Sequence, residues 1–308
     1  MLSIIVQDVF HLAEERNALV IPNKLRDAYS FEDIIRIQED IYRKGVERLD
    51  LSRVAFVEPY SMLCLLLLGK NHLKNTGKRL QLVNIPPAIH QYLFRMDFFN
   101  PGIFKVTETL DEKALYKRSS FSNRVIEITD IPGKERECIR VISDVISLFR
   151  TRARFILKYW LSSAIIDYFV TVISEVCQNI FEHSLDSGYC AMQTYSIGSE
   201  HVVRLVIADS GIGIGESFAG QRDIRFDTTA GLIETVLTTP LSSKRRFGYG
   251  LCQVNAIIEK LGGSVFIRSG DGSVAVMYNR KHTGGQYSFL RNDLHAFPGT
   301  QISISLFA

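Results

Sequence analysis

The chain has 308 residues, 46% of them apolar and 22% charged, a balance normal for a soluble globular protein with room for one large or two ordinary domains. A formal net charge of +3 is too small an imbalance to imply a nucleic-acid partner, and the arginines at 150, 152 and 154 have no aromatics between them to act as a stacking platform. Five scattered cysteines, Cys64, Cys138, Cys177, Cys190 and Cys252, odd in number and never spaced C-x-x-C, argue against a disulfide framework or a zinc site and fit a reducing compartment.

Residues 1–20 include acidic side chains and no continuous apolar stretch, so they do not read as a secretory signal. The longest apolar run, 62–68, stops at Gly69, far short of the ~20 residues that span a bilayer. A cytoplasmic protein without a membrane partner is expected.

In chain order, the first part alternates strand and helix. Residues 18–21 read as a short strand, 31–46 have helical spacing, 49–57 read as a strand, and 61–75 as an apolar helix ending near Gly77. A further strand at 78–85 leads to Pro86-Pro87, which opens a helix running to about Met96. Such alternation predicts a small α/β domain with parallel strands. The segment L-D-L-S-R-V-A-F-V-E-P-Y-S-M-L from Leu49, then G-K-R-L-Q-L-V-N-I from Gly77 and the helix ending R-M-D-F-F resemble a STAS domain, the anti-sigma-antagonist module of bacterial partner-switching systems. One departure stands out: where that family often has Asp-Ser or Asp-Thr as phosphoacceptor, this chain has Glu58-Pro59-Tyr60-Ser61. Ser61 is then the serine hydroxyl left at this loop, and a serine that starts a helix is most often a cap.

A polar stretch with Pro101-Gly102 at its head separates this half from the next, giving an expected boundary between 118 and 119. Residues 121–131 alternate as a strand, 134–149 look helical, and a second helix is expected over 165–184. Within it Glu175, Asn179 and His183 recur at i, i+4 and i+8, along one helix face, while Val176, Ile180 and Phe181 lie on a buried flank. An ordinary polar helix face has this pattern too. The chemistry is nevertheless apt for a ligand, because Asn and Glu offer oxygens to a hard ion such as magnesium and Glu can act as a base on water.

A strand candidate at 202–208 ends at Asp209, followed by Gly211, Gly213 and Gly215. Such a turn lets backbone approach a flat or anionic ligand, and the aspartate can accept a hydrogen bond from an exocyclic amine. Further on, Gly248-Tyr249-Gly250-Leu251 precedes V-N-A-I-I-E-K-L-G-G, a helix whose opening N–H groups suit phosphate. Lys244, Arg245 and Arg246 lie just before it, either as a solvated patch or as cations within reach of a phosphate. Near the end, Gly299 and Thr300 precede an alternating strand with Ile302, Ile304 and Leu306.

In this order, these stretches resemble the GHKL ATPase superfamily, which groups gyrase-type ATPases, ninety-kilodalton heat-shock chaperones, histidine kinases and mismatch-repair ATPases. Glu175, Asn179 and His183 are similar to its N box, Asp209, Gly211 and Gly213 to its first glycine box, Gly248 to Leu251 to its second, and Gly299-Thr300 to the element before its last strand. The resemblance implies a two-domain protein, 1–118 STAS-like and 119–308 an α/β sandwich whose mixed sheet carries helices on one face, with a mobile lid over about 215–247. It implies ATP and Mg2+ as ligands. Glu175 would orient or deprotonate the attacking group, Asn179 would ligate the metal, His183 and Lys244 would lie near the phosphates, and Asp209 would hold the adenine amine. Gly211 and Gly213 would pack under the base, Gly248, Tyr249, Gly250 and Leu251 would cradle phosphate, and Thr300 would complete the pocket.

The strand-helix-helix opening is closer to the anti-sigma-factor serine kinase branch than to the gyrase branch, and no two-helix hairpin with a phosphoacceptor histidine precedes the site. Two activities follow from the resemblance: ATP hydrolysis or transfer to a protein Ser/Thr, acting on a STAS-domain or sigma-factor-like partner, or a non-catalytic module whose lid and assembly, including a homodimer, respond to ATP.

Overall fold

The computed structural model describes residues 18–25, 28–106, 122, 124–133, 139–198, 200–219, 225–241, 250–278 and 286–307. The chain divides into two compact units, Met1–Arg118 and Ser119–Ala308.

In the first unit, β1 (Ala18–Val20), β3 (Arg48–Asp50), β5 (Gln81–Val83) and β6 (Lys105–Val106) form a parallel sheet in that order. The crossovers are α1 (Ala28–Lys44), α2 (Pro59–Thr76) and α3 (Pro87–Arg95). Each starts or stops where local chemistry dictates. Pro59 occupies the first turn of α2, where its missing N–H costs nothing, and Gly77 ends it at φ 70°, its N–H donating to the Leu73 carbonyl at 2.8 Å. α2 is buried almost all round, from Pro59 through His72 with Lys70 the partly exposed exception, so it is the unit's central helix.

The strand expected over 49–57 is split. β3 ends at Asp50, whose carboxylate accepts the Ser52 N–H at 2.7 Å and the Asn84 amide at 3.0 Å. The chain then turns, and β4 (Phe56–Val57) pairs instead with β2 (Lys24–Leu25) in a separate two-stranded sheet.

The second unit is built on seven strands, β7 (Val125–Ile131), β8 (Gly188–Ile197), β9 (Glu200–Asp209), β10 (Ser264–Gly270), β11 (Gly272–Tyr278), β12 (Gln286–Arg291) and β13 (Phe297–Phe307), in the order β12-β11-β10-β13-β9-β8-β7. A mixed sheet was the expectation; every pairing among the described strands is antiparallel. For two of the pairs the reason is a short connection. β8 to β9 and β10 to β11 are joined by turns of a few residues at most, which can only reverse the strand.

The helices are α4 (Ile139–Leu157), α5 (Ser163–Asn179), α6 (Gly213–Phe218), α7 (Thr229–Thr238) and α8 (Gly250–Leu261). Alternate strand residues, among them Val203, Leu205 and Ile207 of β9 and Ile302, Ile304 and Leu306 of β13, form one core with Phe169, Ile173 and Val176 of α5, Leu232 and Ile233 of α7 and Val254 and Ile258 of α8. Helices therefore cover this face of the sheet. The segment 215–247, expected to be a lid, has a core helix in its middle: Ala230, Leu232, Ile233, Val236 and Leu237 are all buried. Burial of that apolar stripe holds α7 in the core.

Candidate functional site

The site is assembled where β9, α5 and α8 end or begin. α5 carries Glu175 and Asn179 on its partly exposed side, while Val172, Ile173, Val176 and Cys177 anchor the opposite side in the core. After Asn179 the helix widens into a π turn, Ile180–Ser184, and stops at Leu185 in the left-handed region. At its end the Ser184 carbonyl accepts the Ile212 N–H at 2.9 Å, tying the helix end to the turn after β9. His183 lies in this π turn; its side chain is outside the described residues.

α8 begins at Gly250 and packs along α5, with the Lys260 ammonium donating to the Tyr168 hydroxyl at 2.7 Å farther along. A Cβ added at Gly250 would stand 3.2 Å from both Oδ1 and Nδ2 of Asn179. The start of α8 and the Asn179 carboxamide are thus in contact, 71 residues apart in sequence by their numbers. Leu251 is partly buried beside it. Lys244, Gly248 and Tyr249 lie outside the described residues.

Asp209 closes β9 and is 2% exposed. Its Oδ1 accepts the Gly211 N–H at 2.8 Å, which fixes the carboxylate in the turn. Gly211 packs so closely on Ser184 that a side chain would overlap the serine carbonyl. Gly213, expected in the same turn, opens the short helix α6, and the neighbouring Ile214 N–H donates to Ser269 Oγ at 2.8 Å.

The third wall is Gly299-Thr300 at the start of β13. Gly299 has φ 80°, a left-handed conformation that other residues adopt only with strain, and a Cβ there would overlap the Asp209 carbonyl and stand 2.8 Å from its Oδ1. Register places Thr300 beside Asp209, since Gln301 pairs with Ala208 and Ile302 with Ile207. Ser269, which sequence reading did not single out, joins these walls: its Oγ donates to the Gly299 carbonyl at 3.0 Å and lies 3.3 Å from Thr300 Oγ1.

Ser61 does not behave as a cap or an accessible hydroxyl. It is wholly buried inside α2, the helix being entered from Glu58, and its Oγ has no hydrogen-bond partner. Among the described residues, no three His, Cys, Asp or Glu side chains gather as a metal-binding group, and no helix is long and apolar enough to cross a membrane.

The structure therefore brings together Asn179 with Gly250, and Asp209 with Gly211, Gly299 and, by register, Thr300; the two groups are linked through the Ser184 contacts of the turn after β9. Among curated proteins, none matches the chain. Residues 165–284 match the model of the family described as Histidine kinase-, DNA gyrase B-, and HSP90-like ATPase, a stretch that includes α5 from its third residue, both glycine-rich segments and α8 and ends before Gly299. This stretch is similar to a GHKL-type ATPase domain.

Proposed function

We propose that the second unit binds ATP with Mg2+ between α5, the turn after β9 and the start of α8, and that it turns ATP over by hydrolysis or by transfer to a protein Ser/Thr. The observation carrying this reading is the contact of Gly250 with the Asn179 carboxamide, at the N-terminus of a helix whose first N–H groups suit phosphate. Asn179 offers one neutral oxygen, and the described residues supply no acidic cluster, so a divalent ion here would take most of its ligands from phosphate and water. Magnesium, when bound, would neutralise charge on the phosphates. Glu175 would orient the attacking oxygen, Asp209 and Thr300 would face the base, and His183, Lys244, Gly248 and Tyr249 would complete the phosphate side.

On this reading the units 1–118 and 119–308 are a STAS-like module and a nucleotide domain of a cytoplasmic partner-switching system, with a STAS-domain or sigma-factor-like protein as partner. Glu175→Ala should abolish phosphate release and leave ATP binding intact; an unchanged rate would contradict the role given to Glu175.

A second reading is favoured by one observation, the complete burial of Ser61, which removes the hydroxyl that the 58–61 loop offers for phosphorylation. The protein would then be a regulatory module in which ATP is a conformational ligand controlling a partner or self-association. Incubation with magnesium and labelled ATP separates the two: released phosphate or labelled protein supports turnover, whereas tight binding with neither product supports the module.

A further inference from the structure

Ser269 sits at the end of β10, 1% exposed, with three polar neighbours on the site side of the sheet. A serine hydroxyl has one proton and two lone pairs. The Ile214 N–H, 2.8 Å away, can only donate, so it occupies one lone pair. The Gly299 carbonyl, 3.0 Å away, can only accept, so it takes the proton. The third neighbour, Thr300 Oγ1 at 3.3 Å, then finds a lone pair and no proton, and must act as the donor.

The consequence falls on Thr300. With its proton turned toward Ser269, its hydroxyl offers only lone pairs to anything in the site. Asp209, its neighbour by register on the same face, offers carboxylate oxygens, which also accept. Two acceptors set against the C6 position of a purine suit the two N–H groups of an exocyclic amine and oppose a carbonyl oxygen there.

We propose that Ser269 is a specificity-determining positioning residue: by fixing the direction of the Thr300 hydroxyl it makes the site select a 6-amino purine over a 6-oxo purine. This inference rests on the nucleotide-binding reading above. It assigns to a buried residue outside the glycine turns the discrimination that Asp209 alone would make less sharply, because a threonine hydroxyl free to rotate could donate to an oxo group.

The test compares binding of ATP and of ITP, which has an oxo group in place of the amine and a proton on N1, by calorimetry on the full chain with magnesium. The parent should bind ATP about tenfold or more tightly than ITP, the scale of one mismatched buried hydrogen bond. Ser269→Ala should shrink the preference to within about threefold, Thr300→Val should do the same, and the double variant should go no further. A merely structural role for Ser269 would weaken both nucleotides together and leave their ratio unchanged, which would overturn the proposal. If Ser269→Ala does not fold, as read from its thermal transition, Thr300→Val decides, and an unchanged ratio there overturns the proposal as well. A parent that binds both nucleotides equally refutes this inference and leaves the nucleotide site standing; a parent that binds neither refutes both.

Discussion

At the scale of single residues, the site depends on close approaches that leave no room for a side chain. Gly299→Ala would force a left-handed backbone on an alanine and drive its Cβ into the Asp209 carbonyl, so the variant should lose about 1–3 kcal/mol of stability in urea denaturation, together with nucleotide affinity. Glu175, Asn179 and Asp209 stand out as candidates in the sequence because their residue types and spacing carry chemistry on their own. Ser269 and Ser184 were not, because what matters about them is the groups they meet: Ser269 bonds to Ile214 and Gly299, 55 and 30 residues away, and no local pattern encodes that. Ser61 was misjudged for a related reason. A serine near a helix start reads as a cap, yet the helix begins at Pro59 and turns Ser61 inward.

At the scale of elements, helices with strong punctuation were readable. Pro59, Gly77 and Pro86-Pro87 bound α2 and α3 closely to where the sequence set them. β8 and β10 to β12 were not picked out, and β12 shows why: all six of its side chains are exposed, so no buried stripe distinguishes it. α7 tests the view that the middle of 215–247 is core. Its N-cap Thr228 accepts the Gly231 N–H, Thr229 bonds to Asp271, and Leu232 is fully buried. Leu232→Ala should therefore cost about 2–5 kcal/mol of unfolding free energy, whereas a substitution in a mobile lid would cost almost nothing. In the first unit, α2 supplies a pH-dependent prediction. Burial lowers the pKa of His72; Glu47 opposes the shift and Lys78 adds to it, and neither ring nitrogen has a hydrogen-bond partner. The unfolded chain thus binds a proton more readily than the native one, so stability should be full above the ordinary imidazole pKa and fall as pH drops from there toward the lowered native value. Urea denaturation of the parent across this range should show the loss, and His72→Gln should flatten it.

At the scale of the whole molecule, connection length accounts for the parallel first sheet and for the β8–β9 and β10–β11 pairs of the second, while β7 and β8 pair antiparallel across α4 and α5. In the first sheet helical crossovers return the chain in the same direction, and in the second tight turns reverse it. The mixed sheet expected of the second unit failed on this point, since the sequence marks turn residues more clearly than it marks which strands they join. The convergence of the α5 face with the glycine turns was expected from motif order, and the fold brings Asn179 to Gly250 and Asp209 to Gly299. That convergence has one direct functional test, equilibrium binding of labelled ATP to the full chain and to Asp209→Asn. The account predicts that the parent binds and that the variant, which replaces an acceptor facing the adenine amine with an amide, loses about tenfold or more in affinity. Equal binding by the two proteins, or no binding by the parent, would contradict it.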